Sequence, residues 1–312
     1  MNTLTRFASC ALVLINLSAC TTITTPPPES ASAAVITPAA QLQKPAAILE
    51  AMNRNYNEAT TDCREAGSNE RRGTYYCSGV LLRTVDDGAF TPWSYSPGAI
   101  TLGATSYSWI RQDVPTTQLY NRAGFILRNR VEAMAHGLPG LETGFICIYP
   151  FNAGTVSNLN HNGCGLRTLR TGFEQKAGRN NNSAYAWGSC EAAGITTEAQ
   201  WDQYYTQSGK RQCSWSMENQ TGWKAVVSIM NRYGTRAHNE IMLKNYNNGD
   251  AMPRYIAAFF YDINRAGSLA DAQSFQRKLN AAGYNVPILR LDFTAAKANR
   301  FAYAIADQAV PQ

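Results

Sequence analysis

The sequence holds three histidines, His136, His161 and His238, and none of its eight cysteines stands in a Cys-x-x-Cys pair. Only His161 lies near a cysteine, so a zinc centre built from sulfur and imidazole ligands has too few donors at workable spacing. Beyond the first twenty residues no apolar run approaches the length needed to span a bilayer. There is no dense basic run and no internal repeat. The formal charge is +6 over 312 residues, too mild to hold a polyphosphate backbone. These absences exclude a zinc module, a multispanning membrane protein, a nucleic-acid binder and a repeat array.

What is present begins with a targeting segment. Residues 1–6 carry one positive side chain, Arg6, and residues 8–17 are mostly apolar but short. They end in Leu17-Ser18-Ala19-Cys20, which resembles the lipobox of bacterial lipoproteins. That resemblance implies a signal peptide over 1–19, cleavage before Cys20, and lipid on the Cys20 thiol and amine. Cleavage removes Arg6 and leaves a charge of +5. Thr21, rather than Asp, follows the cysteine, which implies the outer membrane of a Gram-negative bacterium, with release to the outside left open. Residues 20–45, rich in Thr, Ser, Ala and Pro, bury too little apolar surface to offset the entropy of ordering and read as a tether.

With Cys10 in the signal and Cys20 lipidated, six cysteines remain: Cys63, Cys77, Cys147, Cys164, Cys190 and Cys213. An even number in an exported chain points to three disulfides, and the sequence does not choose among the pairings. Local pairing, 63 with 77, 147 with 164 and 190 with 213, is the expectation. Each bond would contribute about 3 kcal/mol through loop-closure entropy. The folded part, 46–312, divides by composition into a cysteine-containing half (46–215) and a cysteine-free half (222–312).

Apolar spacing at Ile48, Leu49, Met52 and Tyr56 predicts a helix over 46–60. Strands are predicted over 79–82, 104–111, 123–130 and 144–150, and a short helix over 195–207 with Thr196 or Thr197 as its cap. The last third reads as helix 222–233, strands 237–244 and 254–261, helix 268–282 capped by Ser268 and stopped by Gly283, and strand 286–293. The order is that of an α+β fold: a mixed or antiparallel sheet with packed helices, stapled by disulfides in its N-terminal half.

Three groups carry chemistry. Arg83 ends the apolar run Gly79-Val80-Leu81-Leu82, either as a solvated strand end or as a planar cation suited to an anion. Ser106 and Ser108 lie on the next strand. Glu240 opens a strand otherwise made for burial, and alternation projects His238 from its face while Asn239 and Ile241 take the other. A carboxylate beside an imidazole is a candidate acid–base or cation-stabilising pair, and the alternative is an exposed edge glutamate. His136, a loop histidine to which the sequence assigns no acid partner, is a weaker general-base candidate.

The order Arg83, Ser106/Ser108, Glu240 resembles that of secreted ADP-ribosyltransferase toxins. More closely, Asn55-Tyr56-Asn57, Cys77 to Arg83, Gly144-Phe145-Ile146, Gly163-Cys164-Gly165, Gly194 to Thr197 and Asn239-Glu240-Ile241 resemble the halovibrin family of exported NAD glycohydrolase/ADP-ribosyltransferase proteins. The resemblance implies NAD as substrate with no permanently bound cofactor. Arg83 would take the pyrophosphate, and Ser106 or Ser108 the nicotinamide ribose. Trp93 or Trp109 would stack on nicotinamide, and Glu240 would stabilise the oxocarbenium ion. A strict Ser-Thr-Ser is absent, and His238 stands where arginine-modifying members carry Glu or Gln, which favours hydrolysis over transfer to an acceptor protein. Two other readings remain open. One is a non-enzymatic surface lipoprotein binding an envelope component or glycan through Trp187, Trp201, Trp215 and Trp223. The other is a polysaccharide enzyme pairing Glu240 with Glu174 or Asp250.

Overall fold

Apolar residues four apart, Ile48, Met52 and Tyr56, and a proline at its first position make Pro45–Asn57 the helix α1. The structure, a computed structural model, describes residues 45–58, 63–64, 71–72, 74–85, 93–94, 104–114, 116–129, 132–133, 137–138, 145–152, 189–209, 212–216, 220–233, 238–244, 252–293 and 304–305. The expectations for the signal, Cys20, the tether, Cys164, His136, His161, Glu174, Trp187 and Asp250 lie outside these residues.

Two short strands, β1 (Cys63–Arg64) and β2 (Arg71–Arg72), pair as a small ribbon after α1. The main sheet draws on β3 (Val80–Thr84), β4 (Ala104–Ile110), β5 (Ala123–Leu127), β6 (Phe145–Tyr149) and β7 (Trp215–Ser216). It is completed by β8 (Glu240–Lys244), β9 (Ile256–Asp262), β10 (Ile288–Leu291) and β11 (Ala304–Ile305). Its order is β11-β10-β9-β5-β3-β4-β8-β6-β7. The β9–β10 pair is parallel and the other neighbours are antiparallel, so the chain is α+β with a mixed sheet.

The remaining helices are α2 (Ser189–Ala192), α3 (Glu198–Gln207), α4 (Gln220–Tyr233), α5 (Met252–Tyr255) and α6 (Ser268–Ala281). Thr197 caps α3 in a reciprocal capping box with Gln200, as its sequence predicts. Ser268 behaves differently from expectation. The cap position of α6 belongs to Gly267, in the left-handed region at φ 77°, and the Ser268 hydroxyl donates to the Asp262 carbonyl at 2.6 Å. The serine thus ties the helix start to the end of β9 instead of satisfying a free N–H.

The sheet has two unlike faces. On one, Leu81, Tyr107, Trp109, Phe125, Ile148, Ile241 and Phe259 share a core with Trp223, Val226 and Ile229 of α4 and Phe275 and Leu279 of α6. On the other, α1 covers Val80, Leu82, Ile110, Ile126 and Phe260. Trp201, Trp215 and Trp223 are buried in the first core, which corrects their expected role as exposed binding surfaces. Indole rings supply large apolar area, and here they build the interior where the two halves of the chain meet on one sheet face.

Disulfides Cys63–Cys77 and Cys190–Cys213 form as local pairing predicts, closing separations of 14 and 23 residues. Cys147 is disulfide-bonded as well. The first bond brings the chain after α1 back to the start of β3, where Gly79 N–H donates to the Asn55 carbonyl at 2.6 Å. Gly79 has φ 77°, and a β-carbon there would stand 2.1 Å from the Trp109 indole nitrogen, so only glycine fits.

Candidate active site

Paired residues on neighbouring strands share a face, so register decides which side chains meet. On β3 and β4, Leu81 faces Trp109 and Leu82 faces Ser108. On β4 and β8, Ser106 faces Met242 and Tyr107 faces Ile241. On β6 and β8, Tyr149 faces Glu240. Leu81, Trp109, Tyr107 and Ile241 belong to the core under α4 and α6. Ser106, Ser108, Glu240 and Tyr149 therefore share the opposite face, one residue out of phase with that core.

Arg83 follows Leu81 by two and so lies on the α4/α6 side. Its guanidinium carbon stands 5.9 Å from the centre of the Tyr107 ring, and its Nη1 donates to the Ser94 carbonyl at 3.4 Å. Arg83 and Glu240 are thus separated by the sheet. The expected cleft in which Arg83, a hydroxyl-rich strand and Glu240 close on one ligand is corrected on this point. Trp109 is corrected too: it is buried, its indole N–H donates to the Ser78 carbonyl at 3.0 Å, and its ring packs edge-on to Trp223 at 4.9 Å. No ring face is left for nicotinamide.

Ser108, His238 and Glu240 do come together. Glu240 is 2% exposed. The Ser108 hydroxyl lies 2.7 Å from His238 Nδ1, and the Asn239 carbonyl lies 2.7 Å from the same nitrogen. A carbonyl only accepts, so Nδ1 carries the proton and Nε2 presents its lone pair, 3.4 Å from the Asn152 amide nitrogen. Burial lowers the His238 pKa, while the Asn239 carbonyl and the Glu240 charge oppose it. Ser108 therefore faces an N–H rather than a lone pair. The imidazole does not activate it as a nucleophile, and a serine-hydrolase reading is excluded. The pattern fits a neutral base at His238 Nε2 next to a carboxylate at Glu240.

Asn239 holds this constellation in place. Its side-chain oxygen accepts from Trp109 N–H at 2.7 Å and its amide donates to the Trp109 carbonyl at 2.7 Å. One side-chain amide thus takes the part of a strand peptide, pairing both backbone groups of Trp109 just before β8 begins. Sequence alternation places Asn239 opposite His238 and Glu240, and the structure agrees.

Two groups escaped sequence reasoning. Tyr149 sits within an apolar run, and its phenol pKa is raised by burial and then by Glu240. Arg111 is 2% exposed, bound to Asp113 through Nε at 2.6 Å and to the Ser78 hydroxyl through Nη1 at 2.7 Å. Its donors are spent on structure. At the far end of β5, Asn55 of α1 donates to Glu132 at 3.0 Å, and burial raises the pKa of that carboxyl. Asn55 thus acts as a tie between α1 and the segment after β5. Comparison with family models and with curated proteins returns no match.

Proposed function

We propose that this chain is an exported lipoprotein, anchored through Cys20, that cleaves the nicotinamide–ribose bond of NAD, with hydrolysis favoured over transfer to protein. The observation that carries it is the meeting of Glu240, His238 and Ser108 on one sheet face, all three nearly buried. Glu240 supplies negative charge opposite a ribosyl cation as nicotinamide leaves. His238, neutral through burial, takes the proton of the attacking water at Nε2. Ser106 and Ser108 line the ribose side. NAD itself enters through the family resemblance, and Arg83 has no part at this face.

The position of Arg83 favours a second reading, a non-enzymatic surface lipoprotein that binds an envelope component or glycan. Nicotinamide release from NAD by the full chain, purified in detergent without reductant, separates the two. Wild type should turn over, and Glu240→Gln should lose at least about 10²-fold in kcat/KM with its circular dichroism unchanged. Absence of release by a folded wild type supports the binding reading.

A further inference from the structure

The phenol of Tyr149 is fully buried, and among the described residues its hydroxyl makes no hydrogen bond of good geometry. The Ser214 hydroxyl is near enough to favour the phenolate, a contact that falls short of a full hydrogen bond. The Ser214 hydroxyl is instead engaged by Ser189 N–H at 3.2 Å and Ser189 Oγ at 3.1 Å. An unpaired buried hydroxyl costs about 1–3 kcal/mol, so phenylalanine would serve a purely structural role better.

Its address is specific. Tyr149 stands directly opposite Glu240 in the β6–β8 ladder, on the face that holds Ser106 and Ser108. Three residues further along, Asn152 reaches His238 Nε2 at 3.4 Å. A protonated phenol beside a carboxylate offers a donor next to an acceptor. That pair suits a ligand group which gives one hydrogen bond and takes another, as each hydroxyl of a ribose does.

We infer that Tyr149 is a substrate-binding residue of the Glu240 site, donating its phenol hydrogen bond to a ribosyl oxygen while Glu240 accepts from the same sugar. The inference rests on the NAD-cleaving reading and adds to it a residue and a contact. No proton is transferred in this role. The phenol stays a donor throughout the neutral range, because burial and Glu240 hold it protonated.

The test is Tyr149→Phe in the full chain, read by nicotinamide release from NAD and by thermal melting. The expected result is a fall in kcat/KM of about ten-fold or more, the size of one lost hydrogen bond to substrate, with a melting temperature equal to or above wild type. Equal turnover in both proteins overturns the Tyr149 assignment and leaves the NAD-cleaving reading standing. A lowered melting temperature with turnover unchanged also overturns it, since the hydroxyl would then be structural. No release by folded wild type overturns the NAD-cleaving reading and takes the ribose contact with it.

Discussion

On one face of β4, Tyr107 lies edge-on to Phe125 at 6.3 Å and Trp109 packs on Trp223; on the other, Ser106 lies opposite Met242 and Ser108 meets His238, on the face that carries Glu240 and Tyr149. The same seven residues thus build a core and a polar site. The first face gains from apolar area removed from water, roughly 25 cal/mol per Å², and needs no partners of particular geometry. The second keeps Ile110 in the smaller core under α1, but around Ser108 and Glu240 it depends on polar pairing more than on area. It is stable only where each polar atom finds its complement, and a mismatch there is expensive. Residues that lower stability when removed are expected on the first face, and residues that lower activity on the second.

The largest expected effect lies on the apolar face. Trp109→Ala removes a fully buried ring and the bond to Ser78, and should cost about 3–5 kcal/mol in denaturant unfolding under non-reducing conditions. A loss below about 1 kcal/mol would show that this face is not the stabilising one.

A smaller effect belongs to His238. Its folded pKa lies below its ordinary value of 6.5, so on acidification the unfolded chain takes up the proton first. The unfolded state then binds more protons, and stability, fully present above 6.5, is lost as the pH falls through that value toward the folded pKa. His238→Gln should flatten the fall of melting temperature over this window. A wild-type profile level across it would contradict a buried neutral imidazole.

The smallest effect, and the sharpest test of the division, is Arg83→Ala. Placed across the sheet from Glu240 and holding one long hydrogen bond among the described residues, Arg83 should change stability by within about 0.5 kcal/mol and kcat/KM by within about two-fold. A large loss of turnover would mean that both faces serve one ligand.

The reason Arg83 misleads in the sequence is physical. Val80, Leu81 and Leu82 are all buried, so β3 is apolar on both sides and alternation gives no sign of which face the following arginine takes. Tyr149 was hidden in the same way inside Phe145–Tyr149. Where one partner is polar the pattern is readable. His238-Asn239-Glu240 declares its phase, and Thr197 with Gln200 declares a helix start. The amphipathic helices α1 and α4 and both local disulfides were also legible, since each depends on residues close in the chain. Sheet order was not, because strands as distant as β5 and β9 meet only through the closed fold. The tryptophans illustrate a related limit: a large ring among glycines and asparagines looks exposed until the tertiary contacts are known.

The strands at the two margins of the sheet, Trp215–Ser216 and Ala304–Ile305, are each two residues long. An outer strand of this length offers another chain almost nothing to zip onto, whereas a long flat margin invites strand-by-strand addition. A nine-stranded sheet with so many buried aromatics would otherwise be prone to polymerise whenever copies are held close together. With two described residues at each rim, two copies that meet edge to edge have little backbone to share and remain separate molecules.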